Sequence, residues 1–302
     1  MTDEVLEAAV KWINANKVRH VHFYGGEPLA FPLGVKTILA KTKAESYGIT
    51  TNGTLLTKDV YEWLKLFDVQ VLLSLDGDAT TQNYYRDNSY DKIMKNLPFL
   101  LDLNTNVLAT MVSPHRLYEN IKHIRDLGFR NCFLNLLDPY GYGYSYEQIE
   151  VLEEQYLRVV NELHRPPRFS VNDYLKFKKL IEAWKTQPPG CGINRRGYCI
   201  GPRGFIYPCH RAVELGEDFA IGSVWNGIDP VRERKIRKEA STLPKKCRSC
   251  ELKCFPCPVS CYNAHGTFGV DPEDWFCRAM KAKIRAVLKA SPKPLVRIKP
   301  SQ

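Results

Sequence analysis

The first 131 residues of this 302-residue chain contain no cysteine: the first is Cys132. The chain also lacks any run of about 18 apolar residues, which excludes an ordinary membrane-spanning helix. Its start has no basic segment followed by an apolar one, so nothing there reads as a secretory signal. Low-complexity tracts and long repeats are missing too, which excludes solenoid and disordered architectures. These absences predict a cytoplasmic protein without a membrane partner. Net charge is +10, but no RNA- or DNA-reading motif accompanies it. A nucleic-acid partner is therefore set aside in favour of a solvated basic surface.

What is present begins with a globular composition, 44% apolar and 25% charged. That is enough for one large domain and a small one. Residues 1–135 alternate helix and strand patterns. Thr2 and Asp3 cap a helix with Val5, Leu6, Ala9, Val10 and Ile13 at helical spacing. A β-rich run, His20–Tyr24, follows. Helices are expected over 35–43, 57–66, 90–101 and 117–127, and strands over 47–51, 69–75, 106–112 and 132–137. The strands look too apolar to have a wet face, so parallel strands covered by helices are expected, in an open or closed α/β barrel. The chain opens on a helix, so the first βα unit lacks its strand.

After Leu137 comes the loop Asp138-Pro139-Tyr140-Gly141-Tyr142-Gly143-Tyr144, whose aromatic residues could line a substrate channel or pack on the barrel rim. Helices over 146–163 and 172–184 follow, and Pro188-Pro189-Gly190 marks a boundary. Beyond it lie all the cysteines except Cys132, from Cys191 to Cys277. Cys132, beside Phe133 and Leu134, reads as a buried apolar thiol. The others read as metal ligands, because a reducing compartment disfavours disulfides. The expected division is a barrel over 1–140, a helical linker over 141–190, a cysteine-rich unit over 191–280 and a basic tail over 281–302.

In α/β architectures ligands sit at the C-terminal ends of the strands. Here those ends read Gly25-Gly26-Glu27-Pro28, Thr51-Asn52-Gly53, Ser74-Leu75-Asp76-Gly77, Val112-Ser113-Pro114 and Asn135. Glycines permit close backbone approach to a ligand, and Glu27 can bind an ammonium group.

This series resembles the radical S-adenosylmethionine (SAM) superfamily, in particular its branch with a cysteine-rich SPASM tail, the peptide and sulfatase maturases. The resemblance implies a partial (β/α)6 TIM-like barrel missing its first strand, plus a small SPASM iron–sulfur domain. It assigns Gly25, Gly26 and Glu27 to the methionine amino group of SAM, Ser74 to the ribose and Arg86 to the carboxylate. Charge pairing agrees with both ends.

The tail resembles the same branch. Cys191, Gly204 and Cys209 follow its opening pattern, and Cys247, Cys250, Cys257, Cys261 and Cys277 follow the remainder. The gap from Cys250 to Cys257 is one residue longer than the family's, and Cys254 lies inside it. By resemblance a first auxiliary 4Fe–4S cluster takes Cys191, Cys209 and Cys261, with Cys199 as a fourth ligand. A second takes Cys247, Cys250, Cys277 and either Cys254 or Cys257. Spacing alone leaves zinc open.

The Cys-x3-Cys-x2-Cys loop that holds the family's SAM-reducing cluster does not precede Glu27. The expectation is that it lies upstream of Met1, so that this chain alone does not cleave SAM. With it, and a third 4Fe–4S cluster, the implied activity is hydrogen abstraction from a peptide residue by a 5′-deoxyadenosyl radical. A peptide or protein substrate and a reductant such as flavodoxin or ferredoxin are implied. His210 stands where sulfatase maturases carry an Asp base, which favours modification of other peptides. The competing expectations are a non-catalytic iron–sulfur peptide-binding protein and a zinc-stabilised basic nucleic-acid binder.

Overall fold

The computed structural model describes residues 1–172, 174, 193, 197–250 and 256–290. The expected helix over 172–184, Cys191 and Cys254 lie largely or wholly outside them. A six-stranded sheet forms the frame, with β1 (His20–Phe23), β2 (Ser46–Thr51), β3 (Gln70–Ser74), β4 (Asn106–Thr110), β5 (Asn131–Asn135) and β6 (Ser170–Val171). They lie side by side in chain order, each parallel to the next. β6 was not expected. It is two residues long, too short for any alternation to announce it.

The helices of the barrel are α1 (Asp3–Ala15), α2 (Pro32–Lys41), α3 (Lys58–Leu66), α4 (Ala79–Tyr85), α5 (Tyr90–Lys95), α6 (Leu97–Asp102), α7 (Leu117–Asp126) and α8 (Tyr146–Arg158). Thr2 caps α1 and Thr57 caps α3, each hydroxyl accepting a first-turn N–H. The single helix expected over 90–101 is two, broken at Asn96. Pro98 has no N–H to continue the ladder and opens a new helix in its first turn.

The strands do have two different faces. Ile49, Val71, Leu73, Val107, Ala109, Cys132 and Leu134 are buried in one cluster with Leu39, Trp63, Leu64, Ile121 and Leu152 of the helices. The alternate residues (His22, Thr50, Leu72, Ser74, Leu108, Thr110, Phe133) are half-buried or exposed. Register places them together: Leu72 pairs with Thr50 and Asn106, Ser74 with Leu108, Leu108 with Phe133. The expectation of strands without a wet face is corrected here. The side chains still alternate, and an apolar Leu72 or Leu108 on the open face made the runs look fully buried. The helices thus pack on one side of the sheet, and the other side is left as an open wall.

The cysteine-rich unit is built on β7 (Cys199–Ile200), β8 (Phe205–Tyr207), β9 (Gly222–Ser223) and β10 (Gly227–Ile228), an antiparallel sheet in the order β10-β9-β8-β7. Around it lie α9 (Pro230–Ala240), α10 (Lys245–Ser249), α11 (Pro258–His265) and α12 (Asp274–Ala290). It shares its core with the barrel. Leu6, Ala9, Trp12 and Ile13 of α1 pack with Ile206, Ile221, Val224 and Ile236.

α12 runs straight through the boundary expected at residue 280. Its Ala279, Ala282 and Ala286 are fully buried in the barrel core, and their small side chains let it lie against α8. Glu153 of α8 accepts from Arg285 (2.7 Å) and Lys289 (2.8 Å) of α12. Burial alone raises the Glu153 pKa, but these two cations outweigh it and hold the carboxyl below its ordinary range. A depressed folded-state pKa means stability that is complete above the ordinary glutamate range and lost as pH falls through the depressed value. Glu153→Gln is therefore expected to cost about 1 kcal/mol at neutral pH and less in acid, because both cations are half-exposed. Urea midpoints across that pH range measure this, and a cost unchanged between neutral and acid pH would contradict it.

Candidate functional site

The strand ends do converge. Beyond β1, Gly25 and Gly26 are exposed, and a Cβ built on either would meet nothing within 4 Å. Gly25 has φ +157°, which side-chain-bearing residues rarely adopt. The next residue, Glu27, is anchored. Its Oε1 accepts from the Leu29 N–H (3.0 Å) and the Thr51 hydroxyl (2.8 Å), and its Oε2 from the Asn52 N–H (2.7 Å). The carboxylate thus ties the end of β1 to the end of β2. It forms no ion pair with a cation among the described residues, so an uncompensated negative charge stands beside two open glycines. That donor set fits the ammonium end of an amino acid.

Ser74 ends β3 on the open face. Arg86, expected to meet the SAM carboxylate, is held by an acid. Its Nε and Nη2 donate to both oxygens of Asp76, at 2.6 and 3.1 Å. Asp76 is 2% exposed and also accepts the Thr110 N–H at 2.8 Å, so the pair locks β3 to β4. Gln82 and Ser89 extend the network: the Asp76 N–H donates to Gln82, which donates to Ser89. The sequence reading missed Asp76 as a partner although it named Ser74-Leu75-Asp76-Gly77. An Asp ten residues before an Arg, across a turn and a helix, carries no periodic signal. Asn120 of α7 lies against Gly77, with side-chain atoms 2.2 Å from where a Cβ would stand, so only glycine fits this turn.

His210 reaches the same rim from the other unit. Its ring centroid lies 4.3 Å from that of Tyr24, the residue before Gly25. Tyr24 continues a line of aromatic rings along β1, with His22 at 6.4 Å and His20 a further 6.0 Å on. Burial pushes the His210 pKa down, and the Arg211 charge adds to this. Burial lowers His22 as well, with His20 and His210 adding charge repulsion. Tyr24 was not singled out in the sequence; its place at the end of β1 was the available signal.

In the loop after β5, Tyr140 and Tyr144 pack against the cysteine-rich unit, while Tyr142 between them is fully exposed. The Tyr140 hydroxyl donates to the Val270 carbonyl at 2.9 Å, and the Trp275 indole lies edge-on to Tyr144 at 5.4 Å. The Trp275 indole N–H donates to the Gly141 carbonyl, and no Cβ fits at Gly143 beside it. Asp138 accepts from Ser260 (2.6 Å), which accepts from Arg211 (2.6 Å).

The described cysteines of the cysteine-rich unit fall into sets. Burial, reinforced by Cys209, pushes the Cys199 thiol up to about 11. Burial, reinforced by Cys277 and Cys250, pushes Cys247 up to about 11. Cys209 is raised by burial and also feels Cys257. Cys261 is fully buried and donates to the Thr267 carbonyl at 3.4 Å. Cys132 is buried in the barrel core, as expected. Among the described residues no three Cys, His, Asp or Glu side chains close on a single metal ion. The donor chemistry still fits a soft metal cluster: buried thiols that resist ionising alone become thiolates when iron supplies the compensating charge. No described helix is long and apolar enough to cross a membrane.

With this geometry established, residues 1–155 match the family model of the radical SAM superfamily. The chain belongs to that superfamily. Among radical SAM relatives, it is 25% identical over 259 residues to the PqqA peptide cyclase of Gluconobacter oxydans, covering 78% of this chain and 70% of that one. It is 32% identical over 114 residues to the radical SAM cyclopropyl synthase TigE of Paramaledivibacter caminithermalis, 35% of this chain but 24% of TigE. In three dimensions it resembles anSMEcpe, solved with AdoMet and the Kp18Cys peptide bound. There the TM-score is 0.73 at 19% identity, over 96% of this chain and 91% of that one. This likeness establishes the radical SAM fold.

Proposed function

We propose that this protein is a radical SAM peptide maturase whose cysteine-rich unit, over roughly residues 191–280, is a SPASM domain with two auxiliary 4Fe–4S clusters. One observation carries the reading: the Tyr24–His210 contact lays the cysteine-rich unit directly over the Gly-Gly-Glu rim. A substrate reaching that rim meets both. The names of the relatives, a peptide cyclase and a cyclopropyl synthase, support a peptide substrate.

SAM bound beside a reduced cluster supplies a radical that abstracts hydrogen. The chain's own residues bind and orient. Gly25 and Gly26 admit the methionine end of SAM, and Glu27 pairs with its ammonium. Ser74 meets the ribose. Arg86 keeps Nη1 for the carboxylate while Asp76 holds the rest of its guanidinium. His210, over Tyr24, accepts the proton that leaves the substrate. The first cluster takes Cys191, Cys199, Cys209 and Cys261; the second takes Cys247, Cys250, Cys277 and Cys254 or Cys257. A flavodoxin or ferredoxin supplies electrons, as suits a cytoplasmic enzyme.

Anaerobic reconstitution tests this reading. The expected product is brown protein with roughly eight irons and as many sulfides per chain. It binds SAM. Colourless protein holding zinc and no sulfide removes the proposal. Glu27→Ala is expected to weaken SAM binding by about 1–3 kcal/mol in calorimetry. Because the same carboxylate ties β1 to β2, it also lowers unfolding stability by about 1 kcal/mol. Unchanged SAM affinity rejects the ammonium role.

A further inference from the structure

The positive charge of the chain is concentrated in one stretch of the cysteine-rich unit. Residues 230–248 hold eight lysines and arginines against two glutamates, a surplus of six within a net charge of +10. Half of these cations serve the fold. Arg232 donates to the Glu217 and Asp218 carbonyls, and the Arg248 Nε to the Leu243 carbonyl. Arg237 pairs with Glu233 (2.8 Å) and Lys246 with Asp274 (2.6 Å). The other four, Arg234, Lys235, Lys238 and Lys245, are exposed and form no ion pair among the described residues.

Three of the four stand on one face of α9. Val231, Arg234, Lys235 and Lys238 recur at the i, i+3, i+4, i+7 spacing of a helical stripe and all are exposed, while Ile236 and Ala240 turn into the core. Like charges three and four residues apart weaken the helix that carries them. Elsewhere on the surface Lys65 reaches Asp102, Lys122 reaches Asp126 and Arg285 reaches Glu153. The α9 stripe works against its own helix, yet an exposed valine ringed by cations suits a negatively charged partner. The stripe also runs toward the cysteines. After four linking residues α10 begins, and its exposed Lys245 and Arg248 flank the buried Cys247. The Lys246 N–H donates to Asp271 (2.7 Å) and its ammonium to Asp274 (2.6 Å). These bonds tie α10 to the start of α12, which carries Cys277 one turn beyond Asp274.

We propose that the outward face of α9 and α10 is the docking surface for an acidic electron-carrier protein, of the ferredoxin or flavodoxin class, which exchanges electrons with the cluster assigned to Cys247, Cys250 and Cys277. This rests on the maturase reading above and gives its reductant a place on the molecule. One electron crosses the interface. The 4Fe–4S cluster passes between its 2+ and 1+ states as the carrier loses or gains the same electron, and no bond in this chain forms or breaks. Opposite charge steers the encounter but leaves the complex weak and sensitive to salt, as a carrier that must depart after each electron requires. A nucleic acid is disfavoured, because residues 230–248 hold no aromatic side chain on which a base could stack.

The test is an anaerobic calorimetric titration of the reconstituted full chain with an acidic ferredoxin and, separately, an acidic flavodoxin. Wild type is expected to bind at least one of them, with an affinity that falls steeply as salt rises to about 0.15 M. The triple variant Arg234→Glu, Lys235→Glu and Lys238→Glu is expected to load the same iron and sulfide but to bind the carrier about tenfold more weakly at low salt. Electron exchange, followed by the carrier's absorbance in stopped flow, is expected to slow in step. A control reverses three exposed lysines of the barrel helices, Lys11→Glu, Lys36→Glu and Lys58→Glu, and is expected to keep wild-type affinity within about twofold. Equal weakening in both triple variants overturns the proposal, as does undiminished binding by the α9 variant. Loaded wild-type protein that binds neither carrier overturns it too. So does tighter binding of a DNA duplex than of either carrier at about 0.15 M salt, which would make this face a nucleic-acid surface. If the glutamate variant fails to load iron, the triple variant Arg234→Gln, Lys235→Gln and Lys238→Gln decides, with weaker binding supporting the surface and wild-type binding rejecting it. Wild-type protein that takes up no iron–sulfur cluster overturns the maturase reading, and this inference with it; that outcome is distinct from a loaded protein that ignores the carriers.

Discussion

Asp76→Ala is expected to unfold at markedly lower urea than wild type, with a loss of about 3 kcal/mol. Three donors converge on this carboxylate, the Arg86 Nε and Nη2 and the Thr110 N–H, and it is itself almost completely buried. Removing it leaves a half-buried guanidinium unpaired and a strand-end amide without an acceptor, both of which cost more than the pair contributes when intact. The partial exposure of Arg86, 34% of its side chain, lets water recover some of this, which is why the figure sits at the low end for a broken buried pair. A double-mutant cycle sharpens the test. Asp76→Ala combined with Arg86→Met removes the orphaned charge, so the double variant is expected to be more stable than Asp76→Ala alone. If the two losses simply add, Asp76 and Arg86 are not a coupled pair and the brace between β3 and β4 lies elsewhere.

Removing one thiolate pair is expected to remove about half the iron. The double variant Cys247→Ala and Cys250→Ala leaves the set around Cys199 and Cys209 intact, so reconstitution is expected to fall from about eight irons per chain to about four, with sulfide falling in step. The electrostatic grouping motivates the choice: Cys247 feels Cys277 and Cys250, while Cys199 feels Cys209. Complete loss of iron would show that the two sets fold only together; full retention would place Cys247 and Cys250 outside any cluster. Iron and acid-labile sulfide assays on the same sample distinguish these results.

Much of this was legible in the sequence because local chemistry and tertiary role agree. Five β-rich runs, three of them closed by Gly-Gly, Asn-Gly and Asp-Gly, mark the parallel strands, and their ends meet at one rim. Caps at Thr2 and Thr57 stand where the helices begin. What stayed hidden is what depends on distant partners. β6 exists because Arg130 and Asn131 offer it a neighbour, not because Ser170 and Val171 insist on extension. The Asp76–Arg86 pair was hidden because nothing in a string of letters says that Asp76 folds under that arginine. The tyrosines of the 138–144 loop read equally well as channel or packing. Tyr140 and Tyr144 settle on packing only because Val270 and Trp275 return to meet them across well over a hundred residues. The basic residues beyond 280 suggested a solvated tail, yet Ala282, Ile284, Ala286 and Val287 between them give that segment a buried stripe.

That stripe has a consequence for how the protein responds to losing its metal. Cys277 lies in the first turn of α12, and the same helix supplies Ala279, Ala282 and Ala286 to the interior of the barrel. On the proposed assignment of Cys277 to a cluster, a ligand to iron and a wedge of the hydrophobic interior are one rigid rod. Whatever free energy iron contributes at one end is transmitted to the other, because binding only to the native state shifts the whole folding equilibrium. Chelation should thus lower the melting temperature of the sheet some distance away, and oxygen damage to the cysteine-rich unit should be read out as aggregation of the barrel.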